Sequence, residues 1–123
     1  MSLTQYFIDI WFYEEPLLDL VSALQDLSSY CKLYMVSERK EGHRDILQQA
    51  FTVDTRVQLI IPRLGIPHLR TCSVALKNVV SLFLLNPEKY YSEVMRLIAQ
   101  IVDELNKRLE DIYGKIYYEE VMG

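Results

Sequence analysis

Apolar residues at Leu17, Leu20, Val21, Leu24 and Leu27 recur at spacings of three and four, which predicts an amphipathic helix over residues 16–29. Pro16 suits the first turn of that helix, where its missing N–H costs nothing. The stretch before it alternates instead. Tyr6, Ile8, Ile10 and Phe12 would line one face of a strand over 3–13, with Phe7, Asp9, Trp11 and Tyr13 on the other. Residues 31–37 read as a second strand, followed by a polar turn over 37–42. A short helix near 43–51 would turn Ile46, Leu47 and Ala50 inward.

Residues 57–61 read as a third strand, ended by Pro62. The next stretch, 66–78, fits two patterns. Leu69, Cys72, Leu76 and Val79 have helical spacing, whereas the run from Leu69 to Val74 also fits an edge strand. Helix is preferred, because Lys77-Asn78 is not a favoured hairpin turn. Residues 79–85 form the most apolar run and read as a central strand. Asn86 as N-cap and Pro87 at the first helical position then open a long helix over 87–113, with Gly114 as its C-terminal stop and a last strand over 115–121.

This order of elements predicts an α+β fold: an open mixed or antiparallel sheet of about five strands with helices mainly on one face, of the ferredoxin-like type with an insertion. A doubly wound, Rossmann-like α/β sheet is the alternative. The polar positions Asp9, Lys32, Gln58 and Glu119 favour a sheet with one face partly open, and hence the first. No linker, repeat or low-complexity stretch divides the 123 residues, so the whole chain reads as one domain of the alpha-beta sandwich kind.

Half the residues are apolar and about a quarter charged, the balance of a folded globular chain. No stretch approaches the ~18 apolar residues of a membrane span. The N-terminus lacks the basic start of a secretory signal and carries Asp9, Glu14 and Glu15, so a cytoplasmic location with reduced Cys31 and Cys72 is expected.

Charge is segregated along the chain. The net charge is −5 over residues 1–30, +4 over 31–77 and −3 over 78–123. A basic middle can attract an anion, or it can pair with the chain's own acidic ends; the second is preferred. If the second and third strands are parallel neighbours, Arg39, His43 and Arg44 emerge beside Arg63, His68 and Arg70 at one sheet edge. That arrangement would suit a phosphate or carboxylate. No Gly-rich phosphate loop accompanies these residues.

His68 and Cys72 stand one helical turn apart, and Cys31 and His43 could complete four zinc ligands. No Cys-x-x-Cys knuckle supports such a site, so no metal or cofactor is expected and Cys72 reads as a small buried hydrophobe. No catalytic constellation stands out. The long helix carries more apolar surface than one seam needs: beside Tyr91, Val94, Ile98, Ile101 and Leu105 runs a second group, Tyr90, Met95, Leu97 and Val102. Those four residues are the expected surface of a homodimer. The sequence therefore reads as a non-catalytic, self-associating module that binds another macromolecule, a protein partner first. An enzyme or sensor that binds a phosphorylated small molecule, nucleotide or nucleic acid through residues 39–77 is the alternative.

Overall fold

Three-and-four spacing of buried side chains runs without a break through every described element. In α1 (Glu15–Val36) the buried series is Leu17, Leu20, Leu24, Leu27, Cys31 and Tyr34. In α2 (His43–Leu64) it is Ile46, Ala50, Val53, Val57 and Ile60. In α3 (Pro67–Leu85) it is Leu69, Ser73, Leu76, Val80 and Phe83. In α4 (Pro87–Met122) Val94, Ile98, Ile101, Leu105 and Leu109 continue the pattern, with Leu97 beside them. Such an average period near 3.5 turns one narrow apolar stripe of each helix towards a common axis. The computed structural model describes the backbone of residues 14–37, 42–64 and 67–122, and the side chains of 14–37, 42–62 and 68–114.

Each helix lies against its neighbours in sequence, and α4 closes the ring on α1. Cross-helix contacts fix the directions. Gln49 of α2 reaches the Ala23 carbonyl of α1 and Arg56 reaches that of Asp19, so the two helices run antiparallel. Gln100 meets Cys72, and His68 meets Glu104, which sets α3 against α4 in the same sense. Ser28 with Met95, and Glu14 with Tyr113, do so for α1 and α4. The described residues form an up-down-up-down four-helix bundle.

The α3–α4 connection is the shortest of the three. Asn86 alone separates α3 from α4; its N–H donates to the Leu82 carbonyl at 2.9 Å, and its carbonyl accepts from Tyr90 N–H at 3.3 Å. Gly42 precedes α2 with φ 105°, a backbone conformation that L side chains rarely adopt.

The predicted α+β sheet is therefore wrong, and so are its doubly wound alternative and the alpha-beta sandwich. No strand occurs among the described residues. Residues 31–37 complete α1 up to Val36, 57–61 belong to α2, 79–85 are the last turns of α3, and 115–121 continue α4. The strand proposed over 3–13 lies outside the described residues. The error has one physical cause: a short, nearly continuous apolar run fits a buried helix as well as a buried strand. The helices forecast at 16–29, 43–51 and 87–113 are present but longer, and of the stretch 66–78 the described residues, from Pro67 on, are helical. Gly114 does not stop α4, which runs on to Met122.

The buried residues form one apolar cluster along the bundle axis, and Ser73 is the one buried polar side chain among the described residues. Each fully buried Leu or Phe contributes about 1.5–3 kcal/mol relative to exposure. At the end where α1 leads into α2, Phe83 packs edge-on against Tyr34 with ring centroids 5.4 Å apart, and Tyr91 lies 6.3 Å from Phe83. At 36 residues α4 is about 54 Å long, against about 33 Å for the 22 residues of α1 or α2. With Tyr113 already level with Glu14, its last turns project past the start of α1.

Candidate functional site

The basic residues singled out in the sequence divide between the two ends of the bundle. His43 and Arg44 open α2, whereas Arg63 lies in its last turn, followed by His68 and Arg70 in the first turns of α3. About 30 Å of helix separates the two groups. The shared edge expected of two parallel strands does not exist, and no single small anion can touch both sets. Arg39 lies outside the described residues, and the side chain of Arg63 is likewise outside them.

Several of the charged groups have partners within the chain. His43 Nε2 and Tyr34 Oη are hydrogen-bonded at 2.5 Å, closing the end of the bundle above Phe83. His68 Nε2 lies 3.5 Å from Glu104 Oε2 on α4. Lys77 Nζ stands 3.7 Å from Asp54 Oδ2, and Arg56 donates to the Asp19 carbonyl at 2.8 Å. The basic middle thus reaches into the acidic first and last segments through Arg56 and His68. Lys77, in contrast, pairs with an acid of the middle segment itself.

The four residues expected on a dimer surface lie largely inside the bundle. Leu97 is only 5 % exposed and belongs to the core. Tyr90, Met95 and Val102 are half-buried and packed against it, and Met95 Sδ accepts a hydrogen bond from Ser28 Oγ. Met95 meets α1 through Ser28 and Tyr91 meets α3 through Phe83, so the apolar side chains of the long helix face neighbouring helices of the same protomer. The outer face of α4 is instead charged. Arg96 forks onto Glu93 and holds that carboxyl below the usual range, and Lys107 pairs with Asp103 at 3.2 Å, which raises the ammonium pKa.

Cys31 is fully buried in the α1 seam, and burial pushes its thiol pKa up to about 12. Cys72 is half-buried and accepts a long hydrogen bond from Gln100 at 3.7 Å. Both thiols are free, and among the described residues no three His, Cys, Asp or Glu side chains gather as metal ligands. An open cleft of about 550 Å³ lies between the end of α1 and the start of α2, walled by Leu33, Tyr34, Val36 and Ile46 among others.

Apolar side chains left outside the core occur on every helix, Leu33 and Val36 at the end of α1 and Val74 and Leu85 on α3 among them; on the outer face of α2 they are Leu47, Phe51 and Leu59. Phe51 is 68 % exposed, Leu59 64 % and Leu47 49 %. Between them lie Gln48, Thr55 and Gln58, all exposed. Between Asp45 and Arg63 the only charged residues are Asp54 and Arg56, and each is turned to a flank, Asp54 towards α3 and Arg56 towards α1. Their departure to the flanks leaves an uncharged stripe about 18 Å long. Sequence reasoning missed it because Leu47 was assigned to the core and 57–61 to a strand. The unbroken three-and-four pattern from Ile46 to Ile60 would have placed Leu47, Phe51 and Leu59 on the outside.

No known protein family, curated protein or solved structure matches this chain. Among the described residues, no helix is long and apolar enough to cross a membrane.

Proposed function

We propose that this chain is a non-catalytic interaction module that associates with itself and binds another macromolecule through the outer faces of a rigid helical bundle. The observation that carries this reading is the uncharged face of α2, where three large apolar side chains lie outside the core. Solvating such residues is unfavourable, and exposed apolar side chains grouped on one face among uncharged polar groups suit an interaction surface. A four-helix bundle supplies the scaffold, since its core fixes each outer face without help from a ligand.

The alternative, a site for a phosphorylated small molecule, nucleotide or nucleic acid on the basic segment, has less support. Its two halves stand at opposite ends of α2, and His68, Lys77 and Arg56 have partners within the protomer. Sedimentation velocity over a hundredfold range of protein concentration tests the reading. A sedimentation coefficient that rises with concentration is expected. A constant monomer value would contradict self-association.

A further inference from the structure

The cleft between the end of α1 and the start of α2 joins apolar walls to aromatic rings and one carboxylate. Leu33 and Val36, 64 % and 79 % exposed, form the walls. Tyr30 and Tyr34 also line it, and contacts with Phe83 and His43 hold the Tyr34 ring. Its volume of about 550 Å³ suits a small molecule.

Among the described residues that line the cleft, Asp45 carries the one charge. It stands in the first turn of α2, where the helix dipole favours a negative group. Among the described residues no cation or hydrogen-bond donor pairs with its carboxylate. We infer that this cleft is a binding site for a small organic cation, an alkylammonium whose aliphatic part lies against Leu33 and Val36 and whose positive end meets Asp45 and the tyrosines. The site does not depend on self-association.

The lining separates the classes of occupant. An anion would face the Asp45 carboxylate with no Lys, Arg or His among the described lining residues to offset it. A neutral apolar molecule would cover that carboxylate without pairing it, and desolvating an unpaired charge is costly. A cation meets neither penalty, and the negative face of a tyrosine ring attracts it as well. A hard metal ion needs several oxygen ligands, whereas the described lining offers one carboxylate between apolar walls. An alkylated ammonium matches both parts of the surface.

Titration of the full chain with hexyltrimethylammonium, hexanol and hexanoate, followed by amide chemical shifts, tests the proposal. The cation should bind saturably, with shifts centred on Tyr30, Leu33, Asp45 and Ile46, and about tenfold more tightly than hexanol. Hexanoate should not bind there. Asp45→Asn keeps the shape and should weaken the cation about tenfold while leaving hexanol unchanged. Tyr30→Leu keeps an apolar wall and should weaken the cation alone. Asp26→Asn removes the same charge from the exposed face of α1 and should change nothing. Equal affinity for the cation and hexanol would overturn the proposal, as would equal losses in Asp45→Asn and Asp26→Asn, or shifts spread over the acidic surface with none in the cleft. A chain that stays monomeric yet binds the cation would remove self-association and leave this site standing.

Discussion

Ser73 Oγ on α3 donates to Asp54 Oδ1 on α2 across 3.1 Å, while the other oxygen of the same carboxylate faces Lys77 at 3.7 Å. The pair explains two features together. Ser73 is 2 % exposed at a seam position that a hydrophobe would ordinarily fill, and Asp54 is drawn off the outer face of α2. Replacing Ser73 by Ala removes the donor but leaves Lys77 beside the carboxylate. The expected cost is about 1 kcal/mol, measured by urea unfolding. Asp54→Ala strands the Ser73 hydroxyl inside the bundle and should cost more, about 1–3 kcal/mol.

The glycines should respond with opposite signs. Gly114 lies inside α4, and a methyl group added there meets nothing within 4 Å. Gly114→Ala should therefore favour helix by up to about 1 kcal/mol, read as increased helicity and a higher melting temperature. Gly42 holds φ +105°, where a side chain is strained whatever the space. Gly42→Ala should destabilise by about 1 kcal/mol or more.

Gly114 marks one place where the sequence misled. Helical spacing at 16–29 and 87–113 was plain, as was the Asn86-Pro87 start, because each has a strong stripe and a recognisable terminus. Residues 31–37, 57–61 and 79–85 misled because Val, Ile, Leu and Tyr cluster there, and both a central strand and a buried helix use such runs. The decisive signal was continuity. Cys31 and Tyr34 extend the register of Leu24 and Leu27, and Val57 and Ile60 extend that of Ala50 and Val53. Gly114 was taken as a stop although the helix passes through it with room to spare. At the site, the basic residues were found but not their arrangement, since a 22-residue helix in place of a short helix and a strand sends Arg44 and Arg63 to opposite ends.

Cys31 ties stability to alkaline pH. Its folded pKa of about 12 lies above that of an exposed thiol, so the folded state keeps its proton where the unfolded chain has lost it. The stabilisation is complete below the unfolded pKa of ~8.5–9 and is lost as pH rises through the folded value. Denaturant unfolding should show a decline of about 1 kcal/mol between pH 8 and pH 10. Cys31→Ala starts from lower stability but should lack that component of the decline. Native Cys31 should also react slowly with a neutral maleimide.

The core seam offers a direct check on the bundle itself. Leu24 is fully buried on α1, so Leu24→Ala should cost about 2–5 kcal/mol. Leu33, one position away from the seam and exposed, should tolerate Ala within about 0.5 kcal/mol. A strand over 31–37 facing a core on the Leu33 side would reverse the expectation for Leu33.

Sedimentation equilibrium of the unaltered chain tests the account most directly. A weight-average mass that rises with concentration from one protomer towards two is the result self-association predicts. A mass that stays at one protomer up to millimolar concentration would contradict it.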